Sequence, residues 1–350
     1  MLDATVESRI LTALNHEEGD RVPIWDYIDN HSVVEAIAPG ETNLDKAMVK
    51  VYHTLGIDLC RGWGSAFSPE QDGITGEKGE WQIAGQSYWS TKKPIASIED
   101  LKQYQPPRVD QAWLNDVFVP FHRARKEMLE PNTMWVPGAG SGFHECYGLM
   151  GQQLFSYAIY DAPGELERIM ETLSDNCAAI TEALTDAQLC PMFFIGDDFA
   201  YKGKLLFSPK YLRKTFIPML KRCCEIVHDK GQKVIFHSDG YVNDILDDML
   251  DAGIDGLNPI EPLAGMDIGD IKKRYGRNLV LVGNVDCSVT LPLGSVEEVI
   301  LATKDCIKAA SVGGGHFIGS SSEITPSTPV ENIFAFYDTC REFGRYPILG

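Results

Sequence analysis

A (β/α)8 barrel is the fold this sequence predicts, on three observations. Apolar runs of strand length alternate with amphipathic stretches through the second half of the chain, the pattern of repeated β-α units around a parallel sheet. Gly231, Gly253 and Gly276 each follow a helical stretch and precede a strand, the position where a left-handed residue ends a helix without steric cost. The run KVIFHSDG at Lys233–Gly240 then carries an apolar strand straight into a histidine and a carboxylate. The C-terminal strand tips are where such a barrel builds its chemistry.

The eight strands are placed in order at Arg21–Asp26, Ile57–Trp63, Met134–Pro137, Met192–Ile195, Val234–His237, Ile254–Leu257, Leu279–Val282 and His316–Ile318. A helix over residues 4–17 precedes the first, and Leu44–Leu55 precedes the second. Between later strands the periodicity predicts helices over Glu145–Tyr160, Pro163–Leu189, Pro209–Lys230, Tyr241–Ala252, Ile268–Tyr275 and Val296–Ala310, with Val330–Phe343 closing the chain. Asp161-Ala162-Pro163 and Ser208-Pro209 read as helix entries, a capping residue with proline early in the first turn. Residues 76–93, with Trp81, Tyr88 and Trp89 in alternating company, read as a β-hairpin inserted after the second strand, where it would roof one side of the barrel mouth. No repeat, low-complexity tract or linker splits the chain, so residues 1–350 are taken as a single barrel domain with residues 1–20 as an N-terminal helical extension.

With 50 acidic residues against 31 basic ones the formal net charge is −19, and no cluster of lysine and arginine offers itself to a phosphate backbone. Nucleic acid is therefore not an expected partner. The first residues, MLDATVESRI, carry acids and no long apolar core, which predicts neither a signal peptide nor a membrane anchor, and a cytoplasmic location is the default. Nine cysteines at wide spacing without a CxxC pair read as free thiols. Adjacent Cys223 and Cys224 would point about 100° apart on a helix, so they read as packing residues.

Ionisable residues crowd the strand tips: Asp26, His144, Glu145, Asp197, Asp198, His237, Asp239, Glu261, Asp286 and Glu323. Asp and Asn also cap helices that follow strands, so Asp26, Asp286 and one of the pair Asp197 and Asp198 have a structural alternative. His237 is the strongest candidate, since a histidine closing an apolar strand is costly to bury without a partner. Residues two apart at a strand end face the same side, so His237 and Asp239 can converge on one ligand, and Gly240 lets the backbone turn away. That pair is a two-ligand platform for zinc, with Glu323, Glu145 and Asp198 as candidates for the remaining positions. The sequence has no GxGxxG or GxxxxGK[ST] phosphate loop and no GxSxG nucleophile elbow.

DRVPIW at Asp20–Trp25, GDDFA at Gly196–Ala200, SPKYLRKTFIPMLK at Ser208–Lys221, HSDG at His237–Gly240, GIDGLNPIEP at Gly253–Pro262, GNVD at Gly283–Asp286 and SSSEITPSTPVEN at Ser320–Asn332 together resemble the uroporphyrinogen decarboxylase superfamily over nearly the whole chain. The resemblance implies a (β/α)8 barrel, and either a cofactor-free decarboxylase or a cobalamin-dependent methyltransferase. The decarboxylases carry an arginine-rich segment after the first strand; here Trp25 through His31 reads WDYIDNH, with two aspartates and no arginine, which would repel a polycarboxylate. The zinc-thiol methyltransferases carry histidine, any residue, then cysteine at the tip of strand five, and a second cysteine near the end of strand eight. This chain resembles them in His237, with Asp239 in place of the first cysteine and Ser322, followed by Glu323, about where the second would be. The chain is therefore read as closer to the corrinoid-dependent methyltransferase branch. Oxygen ligands are harder than thiolates and suit an oxygen-bearing substrate.

The expected function is an O-demethylase component that moves a methyl group from a methoxylated or similar small molecule to a corrinoid carried by a partner protein. His237, Asp239 and Glu323 are expected to hold zinc, and Glu145, Asp198 and His237 to be catalytic, with either acid supplying a proton. Trp25, Asp26, Trp63, Tyr147 and Asn258 are expected to bind substrate, with Trp89 as a further aromatic wall. The alternative is a carboxy-lyase of the decarboxylase type. A homodimer is implied by the resemblance alone.

Overall fold

The computed structural model describes residues 1–64 and 93–348, and between them the backbone of two strands. In chain order the strands are β1 (Leu59–Cys60), β2 (Trp81–Ala84), β3 (Ser87–Ser90), β4 (Met134–Trp135), β5 (Gly138–Ala139), β6 (Met192–Gly196), β7 (Ala200–Tyr201), β8 (Lys204–Leu205), β9 (Lys233–His237), β10 (Gly256–Asn258), β11 (Val280–Val282) and β12 (His316–Phe317). The barrel wall runs β1–β4 and then β5–β6–β9–β10–β11–β12, all parallel. β4 and β5 are two halves of one stave, interrupted where Pro137 has no N–H for a ladder. The expected hairpin is present as the antiparallel pair β2 and β3, in the register Gln82 opposite Trp89. The side chain of Trp89 lies outside the described residues.

The first stave is not a regular strand. It closes the ring through single parallel bridges, Ile24 to Ile318 on one side and Trp25 to Leu59 on the other. Pro23 has no amide hydrogen, and the Ile24 N–H is taken by the carboxylate of Asp58 at 2.7 Å, so little is left for a continuous ladder.

Alternation along the staves sets two layers. Leu59, Met134, Val136, Met192, Phe194, Ile235, Val280, Val282 and Phe317 share one buried cluster inside the barrel with Trp25. Their neighbours Cys60, Trp135, Phe193, Ile195, Val234, Phe236, Leu257 and Leu281 pack outward beneath the helices. Ile10, Ala13 and Leu14 of the N-terminal helix Ala4–Leu14 join the inner cluster, so this helix covers one end of the barrel.

Helices Leu44–Leu55, Ile268–Tyr275, Val296–Ala310 and Val330–Phe343 lie where periodicity placed them. Two expected helices are each broken in two. Pro209–Lys230 divides into Pro209–Lys214 and Phe216–Asp229, since Pro218 cannot bond back to Lys214 and its ring crowds that carbonyl. Glu145–Tyr160 divides into Phe143–Gly148 and Gly151–Asp161 around a left-handed Gly151. Helix Pro163–Asp186 starts on its proline without a side-chain cap, whereas Ser208 does cap Tyr211 N–H at 3.3 Å. His31–Ile37, Ile98–Gln103 and the run over residues 111–129 are helices that periodicity did not reveal. Gly231 and Gly253 are left-handed as expected, with φ of 72° and 109°. Gly276 is not: its φ is −61°, and it is glycine because a Cβ there would sit 2.5 Å from the Lys272 carbonyl oxygen. All nine cysteines are buried free thiols, and burial pushes the Cys223 thiol up to about 12.

Candidate metal centre at the barrel mouth

The alternation that fills the barrel also aims the tips. Phe194 faces inward, so Asp198 four residues on falls on the same side; Ile235 faces inward, and so do His237 and Asp239; Leu257 faces outward, which turns Asn258 in. Asp198, His237 and Asp239 converge as the sequence expected of the last two. One donor atom from each lies within 4.8 Å of the others. His237 Nε2 is 3.8 Å from Asp239 Oδ1 and 3.9 Å from Asp198 Oδ1. Tetrahedral zinc with bonds near 2.1 Å needs donors about 3.4 Å apart, so each carboxylate oxygen is within roughly half an ångström of that spacing from the imidazole nitrogen.

Asn258, expected to bind substrate, is hydrogen-bonded to the His237 imidazole. Its Nδ2 donates to the Val282 carbonyl at 3.4 Å, which turns Oδ1 to the His237 imidazole at 2.6 Å. That acceptor draws the proton to Nδ1 and leaves the Nε2 lone pair facing the two carboxylates. Among the described residues Asp239 Oδ1 is buried with no hydrogen-bond partner, a costly state for a carboxylate oxygen unless a cation meets it. Burial pushes the Asp239 carboxyl above its ordinary range, and the nearby His237 pulls the other way. The backbone supports the same geometry: Asp239 N–H donates to Asp198 Oδ1 at 2.9 Å, and Gly240 N–H donates to Glu261 Oε2 at 2.9 Å.

Glu323, expected as the third ligand, is not in this group of three, and Asp198 takes that place. Burial and the neighbouring Asp29 raise the Glu323 carboxyl, while Arg61 lowers it. Glu145, expected to be catalytic, is also outside the group. Its Oε1 lies 3.9 Å from Cys177 Sγ, and its carboxylate occupies the space a side chain on Gly140 would need. Asp197, whose parity turns it outward, accepts from Ser141 N–H at 2.6 Å and His144 N–H at 2.7 Å and so ties two staves together. Burial pushes its carboxyl up to about 7.

Asp26 is likewise engaged within the protein. It accepts from Ser320 N–H and Oγ–H, at 3.0 and 2.6 Å, and from the Tyr337 hydroxyl at 2.9 Å. Burial still lifts its carboxyl to about 6. Trp25 is a floor residue beneath the mouth, with its ring 6.2 Å from Phe194 and 6.0 Å from Phe317. Trp63 is packed at the rim between Tyr52, Trp135 and the Arg125 guanidinium. The Tyr147 hydroxyl donates to the Asp198 carbonyl, and its ring stacks on His144 at 4.8 Å, so it holds the loop that carries Asp198. His144 Nδ1 in turn is 3.6 Å from Asp198 Oδ2.

Arg61 is the residue that motif reading missed. It stands two residues beyond inward-facing Leu59, so the alternation that places His237 also sends Arg61 into the mouth. Its charge acts on both Asp239 and Glu323.

Residues 84–343 match the family model for uroporphyrinogen decarboxylase (URO-D). The chain belongs to the URO-D family. It is 26% identical over 267 residues to a uroporphyrinogen decarboxylase of Coxiella burnetii, a match covering 72% of this chain and 69% of that protein. It is 36% identical over 169 residues to the methylcobamide:CoM methyltransferase MtaA of Methanosarcina barkeri, covering 48% of this chain and 46% of the relative. A solved methyltransferase from Methanosarcina mazei superposes with a TM-score of 0.73 over 97% of this chain and 99% of its own, at 22% identity, which fixes the shared fold. Among the described residues no helix is long and apolar enough to cross a membrane.

Proposed function

We propose that this chain is a methyltransferase of the URO-D family. A methoxylated small molecule would bind at the barrel mouth, and its methyl group would pass to a corrinoid carried by a separate protein. The observation that carries the reading is the convergence of Asp198, His237 and Asp239, with an imidazole lone pair and a buried carboxylate oxygen that has no partner among the described residues. Nitrogen and oxygen donors of this kind fit zinc. The similarity to MtaA supports the methyl-transfer chemistry and a corrinoid protein as partner.

Zinc at this point would supply a Lewis acid for the ether oxygen, where charge builds as the carbon–oxygen bond breaks. The remaining work belongs to the chain. Asn258 keeps His237 in the tautomer that offers Nε2. Asp198 is held by Tyr147 on its carbonyl and by the Asp239 amide on its side chain. Glu323, with its carboxyl raised by burial, shares the mouth with Asp239 and Arg61. Asn258→Ala removes the acceptor that orients the imidazole, and we expect zinc affinity to fall about 10- to 100-fold with the barrel intact, read by competition against a chromophoric chelator.

The overall test mixes the purified protein with a reduced corrinoid protein and a panel of methoxy compounds, and follows the cobalt spectrum. A spectral change that depends on the methoxy compound is expected. Its absence across the panel, with carbon dioxide released from an acid, would put the decarboxylase in its place.

A further inference from the structure

Arg61 sits in an acid-rich mouth, and its guanidinium packs on two aromatic rings there. Its guanidinium carbon lies 4.7 Å from the centre of the Tyr27 ring and 4.9 Å from that of Phe194. Gly62 helps to build this cradle, since its backbone approaches the Tyr27 ring so closely that a Cβ would stand 3.2 Å from Cε2. Phe194 in turn lies 5.4 Å from the His237 ring, so the guanidinium and the imidazole both border the same phenyl ring.

Among the described residues Arg61 forms no ion pair and donates no hydrogen bond, while its charge is felt by Asp239 and Glu323. An arginine whose task is to balance those acids would close on one of them. Arg9 and Arg21 do so away from the mouth, where both meet Asp58 at 2.6 and 2.7 Å. Two aromatic contacts fix the guanidinium plane, and no described residue takes its edge donors, which suit an acceptor from outside.

We propose that Arg61 anchors a carboxylate on the substrate, so that the methyl donor is a methoxylated acid with a spacer about one aromatic ring long between its carboxylate and its ether oxygen. A planar carboxylate matches the paired N–H groups of a guanidinium edge. The inference rests on the mouth being the methyl-donor site.

Titration calorimetry on the full chain loaded with zinc, using para-methoxybenzoate and the neutral para-methoxybenzamide, tests it. The wild type is expected to bind the acid at least about tenfold more tightly than the amide. Arg61→Met is expected to erase that preference while leaving amide binding, zinc content and the unfolding temperature unchanged, and Arg61→Lys to keep part of it. Equal affinity for the two probes in the wild type, or loss of zinc from Arg61→Met, would overturn the proposal and leave Arg61 a charge balancer. The two readings separate cleanly: acid preference without cobalt methylation retires the methyl-transfer reading, and cobalt methylation without acid preference retires the anchor alone.

Discussion

His237→Ala is expected to lose stoichiometric zinc while keeping the barrel. The imidazole is the one nitrogen donor of the convergent group, and Asn258 serves to orient it. Loss of a Lewis acid worth several kcal/mol in the transition state corresponds to a fall in methyl-transfer rate of at least about a thousandfold. The fold should tolerate the change, since His237 stands at the tip of β9 and the wall beneath it is held by Ile235 and its neighbours. Elemental analysis and circular dichroism check both halves of the statement. A variant that retains one zinc per chain, or the wild-type rate, would remove the metal centre from the mechanism.

The largest stability loss is expected at Asp58→Ala. This carboxylate is buried and accepts from Arg9 Nη1 at 2.6 Å, from Arg21 Nη1 and Nη2 at 2.7 and 2.9 Å, and from the Ile24 amide at 2.7 Å. Removing it leaves the mostly buried Arg21 guanidinium without its carboxylate, Arg9 with Asp20 alone, and an orphaned backbone donor beside the irregular first stave. Breaking a buried ion pair in this way costs about 3–5 kcal/mol. The expected fall in Tm for a chain of this length is roughly 4–7 °C, measured by calorimetry. A change below about 1 kcal/mol would mean that the arginines find other partners or water.

Much of this arrangement was legible in the sequence because the barrel interior is written in alternation. Val234, Ile235 and Phe236 fix which side His237 takes, and the same counting places Asp239. It would also have found Arg61, since Leu59 sets the parity two residues earlier; attention to acids and histidines passed over it. Glu323 was harder. It follows β12 by six residues, beyond the reach of strand parity, and only the folded loop shows that Asp198 stands nearer to His237. Asp26 and Asn258 carry residue types that serve equally as caps, clasps or ligands, and their partners come from distant staves. Ser320 lies 294 positions from Asp26. The helices of residues 98–129 were missed because turn residues and charges interrupt their apolar period.

That separation has a consequence for assembly. The ring is joined at its first stave by single bridges and the Asp26 clasp, whose partners Ile318, Ser320 and Tyr337 are made only after the intervening staves. The entropy of joining ends so far apart falls on the final step, after the other staves have packed. A nascent chain would thus carry an open β-α sheet with its leading segment unpaired, and the seam beside Trp25 would exchange its amide hydrogens first when the finished ring breathes.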